Sequence, residues 1–512
     1  MKKLLSILFS RYTLCILLIF IELSGLIVLA LFLNAYSIYF VIISAICDLL
    51  ILIAIINSDM NPEYRMTWMG VVLLMPIVGS IIYIIFYRHR MSKSEARLAE
   101  EIVNELDELS DEPRALAALA LESQLACGKA MAVLSIDKTA EVYQNTSAKF
   151  YRLGEIMYED MLEALRSAEK YIFLEYFIFE DGEMWQGIYE LLLKKVREGV
   201  EVRLMYDDFG CMQTMPEDFG RMLVKDGIDA MPYAIMTARL TRAQNNRDHR
   251  KILVVDGRVG FTGGVNIADE YINKNGRLGH WKDGGIRLIG DAVLGLTTIF
   301  LTLWDINKGE KSDYPCYLIQ DKCKESFTDG GYYLPFGSGP YPMYKRQSGK
   351  RAIIDIINQA KRYVYITSPY LIIDYDLTDA MVGAVERGVD VRLVLPSVPD
   401  KKFVKAMTKS SYPYLIKGGV KIYEYTPGFM HMKSLVADDE YAMIGTINLD
   451  YRSLVHHYED AVWIYRSPVV TDIRDDILAS ISVSHRMTEK ESRLNLFEWI
   501  TKCALRLFAP LL

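Results

Sequence analysis

RDHRKILVVDGRVGFTGGVNIADE, residues 247–270, sets His249, Lys251 and Asp256 in the spacing HxKxxxxD, and the chain is organised around it. His249 and Lys251 stand two apart, so in an extended strand both side chains share a face. Ile252 to Val255 are β-branched or Leu and read as a buried strand. Asp256-Gly257 is a hairpin signal, and Val259 to Thr262 returns as a second strand that brings Asn266 back to the strand ends. The spacing recurs at His431, Lys433 and Asp438, in HMKSLVADDEYAMIGTINLD, residues 431–450. Each copy runs on through an apolar stretch and a Gly turn to an Asn: Gly263-Gly264 then Asn266, Gly445-Thr446 then Asn448. The chain has seven His, and two of them fall in this pattern. A single match is weak, whereas two with the same continuation are strong. A neutral imidazole attacks, and an ammonium and an amide hold anionic oxygens, a set suited to a phosphate diester. One copy lacks a second acid or base, which a facing copy would supply.

A second repeat is independent of the motifs. AEKYIFLEYFIF at 168–179 matches AKRYVYITSPYL at 360–371, and VREGVEVRLMY at 196–206 matches VERGVDVRLVL at 385–395. In each half a helix leads into a buried strand, then a helix ending at Gly, then another strand. The long period is that of a duplicated domain, not a solenoid. The fold class is therefore α/β, with two lobes at about 139–330 and 331–489.

These features resemble the phospholipase D superfamily, whose signature is a duplicated HxKxxxxD. Within it FTGGVNIADEY, HWKD at 280–283, GTINLDYRS at 445–453 and the apolar MTWMGVVLLMPIVGSIIYIIFY are similar to bacterial cardiolipin synthases. The resemblance covers nearly the whole chain. It implies two phospholipase D-like lobes that face each other across one pocket, preceded by N-terminal transmembrane helices.

Composition agrees with a membrane part, since 51% of residues are apolar, high for a soluble protein. The net charge of −7 argues against a nucleic-acid partner, which would call for a basic face. The seven Cys are scattered without CxxC or His–Cys metal spacing, as free thiols in a reducing compartment would be. Residues 1–90 form the expected membrane region, with apolar segments 12–33, 38–56 and 66–87 and a tight break at Asn34 to Ser37. No A-x-A site marks a removed signal peptide. Lys2, Lys3 and Arg11 precede the segments, and Arg88, Arg90, Lys93 and Arg97 follow. The positive-inside rule places both ends in the cytoplasm, which three full spans forbid. Either one segment is re-entrant or interfacial, or the basic tail is translocated; cytoplasmic lobes with an embedded third segment are the favoured reading. Glu22 and Asp48 interrupt the first two segments, where acids are costly. Residues 91–138 read as a helical linker, and 490–512 as a C-terminal amphipathic segment, set against lipid or packed back on the lobes.

The resemblance implies the candidate catalytic set His249, Lys251, Asp256, His431, Lys433 and Asp438. His249 is the expected nucleophile, by the family's habit alone, and His431 the acid and base; the symmetry of the motifs leaves the two exchangeable. Lys251, Lys433, Asn266 and Asn448 would hold phosphate oxygens. Asp283 and Glu459, each just before a strand, would orient the imidazoles. Asp256 and Asp438, on turns, read rather as structural buttresses. Glu270, Asp450, Arg452 and Ser453 would support the site, and His280-Trp281 line it. Asn245-Asn246 with Arg242, Arg247 and Arg250 reads as a basic loop meeting lipid phosphates or solvent. His456-His457 is rejected as a metal pair, because neighbours on a strand point apart. No cofactor and no required metal are expected. The expected partners are phospholipid substrates, phosphatidylglycerol first, and the bilayer, and the expected product is cardiolipin. The rivals are a membrane-bound phospholipase D hydrolase, another phosphatidyltransferase, a phosphodiesterase or nuclease of the superfamily, and a non-enzymatic scaffold.

Overall fold

The computed structural model describes residue 24 and residues 34–58, 60–87, 93–109, 114–235, 246–274, 276–318, 326–327, 329–340, 343–344 and 346–493. The chain divides into two compact units, one with the described helices up to residue 87 and one from residue 93 onward. Segment 12–33, apart from Ser24, and the C-terminal segment beyond 493 lie outside the described residues, as does Glu22.

In the first unit a helix runs Asn34–Ile56, so the break expected at Asn34 to Ser37 is instead its first turn. Segment 66–87, expected as one apolar element, is two helices, Pro62–Leu74 and Val78–Tyr87. Pro76 explains the interruption: it has no N–H to donate and its ring clashes with the preceding turn. Ile77 follows at φ +66°. The Asp48 carboxylate accepts the Ile77 N–H at 3.2 Å and the Ser80 hydroxyl at 2.5 Å, so this acid caps the returning helix. Trp68, Val71, Val72, Ile82 and Tyr83 pack on Ile55 as a small core, while Ile38, Val41, Ile42, Ile46, Leu49, Leu50 and Ile53 stay exposed. Among the described residues no helix is long and apolar enough to cross a membrane.

In the second unit the apolar runs form two sheets. The first half supplies β1 (Thr146–Tyr151), β2 (Tyr171–Tyr176), β3 (Glu201–Asp207), β4 (Asp229–Tyr233), β5 (Lys251–Val255), β6 (Val259–Gly263), β7 (His280–Lys282) and β8 (Gly285–Gly290). The second half supplies β9 (Tyr332–Ser338), β10 (Tyr363–Thr367), β11 (Leu371–Ile372), β12 (Asp390–Pro396), β13 (Lys421–Tyr425), β14 (Gly428–Met430), β15 (Ser434–Ala437), β16 (Tyr441–Gly445), β17 (Leu449–Asp450), β18 (Glu459–Tyr465) and β19 (Ser484–Arg486). The first sheet is ordered β4-β3-β2-β5-β6-β8-β1 and the second β13-β12-β10-β15-β16-β18-β9, with β19 added at its outer edge. Strand for strand these are the same sheet. In both, the two repeat strands pair in parallel, and the motif hairpin adds antiparallel strands beside them. The helices Val293–Lys308 and Val469–Ser482 lie in a core shared by both sheets, with Phe173, Ile252 and Val254 from one and Val436, Ile444 and Val462 from the other. The outer face of each sheet carries its own helices. In the linker, the helix Gln124–Leu134 packs Ala126, Ala130 and Val133 onto the second lobe.

The motif aspartates hold the hairpins. Asp256 and Gly257 both have positive φ, +54° and +61°, the two-residue turn that suits the strand twist. The Asp256 carboxylate accepts the N–H groups of Glu169, Lys170 and Tyr171, each at 2.8 Å. Asp438, at φ +58°, does the same for Lys361, Arg362 and Tyr363 at 2.7, 2.8 and 3.0 Å. Each therefore buttresses the start of the neighbouring strand. Asp256→Ala is expected to cost about 2–4 kcal/mol, through orphaned donors and a side chain ill-suited to positive φ. Thermal unfolding in detergent would register it, with the rate per folded molecule nearly kept.

Candidate active site

Each motif histidine ends a short extended segment that crosses to the other lobe. β14 pairs in parallel with β7, placing Met430 against Lys282, and the His431 N–H donates to the Lys282 carbonyl at 2.8 Å. The duplicate crossing places Asp248 against Tyr458 in a parallel bridge, and the His249 N–H donates to the Tyr458 carbonyl at 2.9 Å. The residue after each accepting carbonyl is the expected orienting carboxylate. His249 Nδ1 lies 2.9 Å from Glu459 Oε2 and His431 Nδ1 lies 2.5 Å from Asp283 Oδ2. Carboxylates only accept, so each Nδ1 carries the proton and each Nε2 the lone pair. The pairing is reciprocal, each lobe orienting the imidazole of the other.

Glu459 and Asp283 are held differently. The Thr446 and Ser453 hydroxyls donate to Glu459 at 2.5 and 2.6 Å. Among the described residues Asp283 takes only the Gly284 N–H, at 2.8 Å, besides His431. Gly264, at the place of Thr446, lies so close to Asp283 that a β-carbon there would stand 2.1 Å from its Oδ1.

Both lysines are interior. Lys251 Nζ donates to the His249 carbonyl at 2.6 Å. Lys433 Nζ donates to the His431 carbonyl and lies 3.1 Å from Nε2 of that ring. Burial lowers the pKa of Lys251 to about 8, against the pull of Glu459. Burial lowers Lys433 to about 7, with Asp283 opposing and Lys251 adding to the fall. Burial, then Lys251 and Lys433, push His249 well below its ordinary value. Burial and Lys433 bring His431 to about 4 although Asp283 raises it. Asp283 stays below the usual carboxylate range despite burial, because His431 and Lys433 face it. Two imidazoles, two ammoniums and two carboxylates from two lobes thus form one electrostatic unit. It sets two imidazoles of lowered pKa beside two lysines, groups able to serve phosphoryl chemistry on a diester.

Comparison with known proteins accords with this geometry. A family described as "Cardiolipin synthase, PLD-like domain" matches residues 161–281 and 353–480. A second, described as phospholipase D-nuclease N-terminal, matches residues 41–88. A cardiolipin synthase of Halalkalibacterium halodurans is 33% identical over 469 residues, 90% of this chain and 91% of that one. The chain belongs to the cardiolipin synthase family. An uncharacterized protein of Streptococcus mutans shares 39% identity over 462 residues, 90% of this chain and 98% of its own length. Among solved structures, a phosphatidylserine synthase of Haemophilus influenzae shares the fold, with TM-score 0.54, 15% identity, and coverage of 71% of this chain and 93% of that one.

The remaining candidates of this cardiolipin synthase family member sort by contact. Asn266 accepts the Ile178 N–H at 3.2 Å and donates to the Tyr271 hydroxyl at 2.6 Å. The Asn448 N–H donates to Ser453 at 2.7 Å, and its buried Oδ1 has no partner among the described residues. Ser453 thus joins Asn448 to Glu459, and Asp450 accepts the Ser453 N–H at 2.8 Å. Trp281 lies 5.4 Å from the His431 ring, centroid to centroid, and His280 meets the Tyr425 hydroxyl at 3.0 Å.

One reading needs correction. Arg247 and Arg250 are buried and do not form a solvent loop; Arg242 and Asn245 lie outside the described residues. Arg250 donates to the Tyr344 hydroxyl at 2.9 Å and the Ile299 carbonyl at 3.1 Å, 3.5 Å from Glu175. The ring of His457 lies 5.5 Å from the His249 ring. A signal for Arg250 was available: its mate in the second motif is Met432, a core residue.

Proposed function

We propose that this phosphatidyltransferase moves a phosphatidyl group from one phosphatidylglycerol to a second, giving cardiolipin and glycerol through a phospho-histidine intermediate. The observation that carries the reading is the reciprocal carboxylate–imidazole pairing. It leaves two Nε2 atoms for one phosphate, one to attack and one to carry a proton. His249 is assigned as nucleophile. Its carboxylate, Glu459, is shared with two hydroxyls, which weakens its hold on an imidazolium. Asp283, which among the described residues accepts one N–H besides His431, favours the cation on His431. His249 Nε2 bonds to phosphorus as the bond to the glycerol oxygen breaks, and His431 gives that oxygen its proton. The hydroxyl of the second lipid then loses its proton to His431, attacks phosphorus and displaces His249. Lys251, Lys433, Asn266 and Asn448 hold the non-bridging oxygens.

Labelled phosphatidylglycerol in micelles tests this. Cardiolipin and glycerol are the expected products, and phosphatidic acid in their place would identify a hydrolase.

The pH profile of kcat/KM is expected to be a bell. Lysine is cationic below its pKa, so attraction for the lipid phosphate is lost as pH rises through about 7 for Lys433 and about 8 for Lys251. The alkaline limb therefore belongs to the lysines. The acid limb belongs to protonation of His249, whose pKa burial holds well below its ordinary value, so that limb falls on the acid side of 6.5. A flat profile between about pH 5 and 9 would count against lysine cations as the hold on the lipid phosphate.

The proposed organisation assigns 1–90 to the bilayer, 91–138 to a linker, 139–330 and 331–489 to the lobes, and 490–512 to an amphipathic end. The exposed apolar side chains of Asn34–Ile56 support bilayer contact. The helices Pro62–Leu74 and Val78–Tyr87, of 13 and 10 residues, are each too short for a hydrocarbon core of about 30 Å. Their return at Pro76 suits a re-entrant third segment, which puts both basic flanks in the cytoplasm. Single cysteines replacing Lys2 and Ser92 are expected to escape an impermeant maleimide in intact cells and to react after lysis. Labelling of one alone in intact cells would mean an odd number of spans.

A further inference from the structure

The duplication offers an internal comparison at one more position. Trp281 stands two residues before Asp283, and His457 two residues before Glu459. Trp281 lies 5.4 Å from the His431 ring at an interplanar angle of 44°, and His457 lies 5.5 Å from the His249 ring at 41°. The slot is therefore the same in both lobes: a flat ring laid beside the motif histidine of the other lobe. An indole fills it on one side, so packing alone does not call for an imidazole on the other. His457 is 8% exposed; its Nδ1 faces Glu459 at 3.7 Å, beyond ordinary hydrogen-bond distance, and neither ring nitrogen meets a closer partner among the described residues. Buried polar atoms without partners are costly and call for a ligand or a role.

Three groups converge here. His249, His457 and Glu459 are all buried, and each offers a ligand atom within 4.8 Å of the others. Two imidazoles and a carboxylate are the donor set of open zinc centres. Bonds of about 2.0–2.1 Å in a tetrahedron set ligand atoms roughly 3.3 Å apart. His249 Nδ1 is 2.9 Å, and His457 Nδ1 3.7 Å, from the Glu459 oxygens, so small ring rotations would suffice. The Thr446 and Ser453 hydroxyls already orient Glu459, as outer partners of metal ligands do. Asp248, Asp283 and Asp460, which with Glu459 act on Lys251, would offset the ion's charge. On the other side Trp281 has no lone pair to give.

We propose that His249, His457 and Glu459 bind one divalent transition-metal ion of the zinc class, and that its occupancy switches transfer off by taking His249. Ligation at Nε2 uses the lone pair that attacks phosphorus. Ligation at Nδ1 displaces the bond to Glu459 and leaves the proton at Nε2. Either way the nucleophile is blocked until the ion leaves. The inhibitory effect rests on the function proposed above; the site itself does not.

The test uses the full chain in detergent micelles, with Co²⁺ as spectroscopic probe and Zn²⁺ as competitor. One Co²⁺ per chain is expected, with the visible absorption of a four- or five-coordinate site, abolished by Zn²⁺. His457→Phe and His457→Trp, which keep a flat ring in the slot, are expected to lose that absorption, and so is His249→Ala. In the phosphatidylglycerol assay, the Zn²⁺ concentration that halves each protein's own rate is expected to rise roughly 100-fold in His457→Phe. No Co²⁺ absorption in the parent chain, or unchanged absorption in either folded His457 variant, would overturn the site. Should both variants misfold, Zn²⁺ protection of His249 and His457 against diethyl pyrocarbonate in the parent chain decides, and equal modification with and without Zn²⁺ refutes it. A chain that binds Co²⁺ but makes no cardiolipin keeps the site and loses the proposed function; cardiolipin without Co²⁺ absorption does the reverse.

Discussion

Alanine at His249 or at His431 is expected to lower kcat by roughly four orders of magnitude or more, since each ring takes part in bond making at phosphorus. The double variant is expected to be little worse than either single one, because the two act as a unit. The variants differ in what they trap. With a phosphatidyl donor whose leaving group needs no proton, His431→Ala still forms the bond to His249 and accumulates labelled protein, whereas His249→Ala carries no label. Label on His249→Ala and none on His431→Ala would exchange the roles. Folding should survive both changes. Glu459 keeps the Thr446 and Ser453 hydroxyls and Asp283 keeps the Gly284 N–H, so neither carboxylate is stranded.

Arg250→Met is expected to destabilise the chain by about 3–5 kcal/mol, the cost of breaking a buried ion cluster by removing one member. Arg250 is fully buried among Glu175, Asp248 and Asp460, all with at most traces of exposure. Burial raises Asp248 to about 6 and Asp460 to about 7, and Arg250 opposes both shifts. Without the guanidinium these acids must take up protons or admit water. The duplicate position shows the alternative: Thr367, Met430, Gly284 and Met432, drawn from both lobes, stand where Glu175, Asp248, Asp460 and Arg250 stand in the ionic copy. Methionine therefore fits the shape, and the penalty is electrostatic rather than steric. Thermal unfolding at pH 8 and pH 5.5 separates the two, because protonating the stranded acids relieves an electrostatic penalty and leaves a steric one unchanged.

Much of this site was legible because duplication writes its chemistry twice. The paired HxKxxxxD motifs and the 168–179 and 360–371 repeat anticipated two sheets of one strand order. Asp283 and Glu459 stood out by their matching places before β8 and at the start of β18. Their crossing between lobes was not legible, since sequence gives a residue's place in its own lobe while face-to-face packing sets its partner. Arg247 and Arg250 looked like surface charge because the acids that answer Arg250 are scattered along the chain. The place of His457 beside His249 was not legible, since Arg452–His456 coils into a wide helical turn just before it. The apolar run 66–87 concealed its break, since one Pro hardly alters hydropathy while it ends a helix.

The exchange of carboxylates also bears on what such a chain has given up. A half with one motif would have no oriented imidazole until a second copy met it, so a single polypeptide carrying both copies needs no separate encounter. One chain leaves the copies free to differ, and they do: Arg250 against Met432, His457 against Trp281. Each half is now suited to its sibling and no longer to itself. Cut between Gly330 and Gly331, the two pieces would restore the centre only when mixed, and neither would do so by pairing with its own kind.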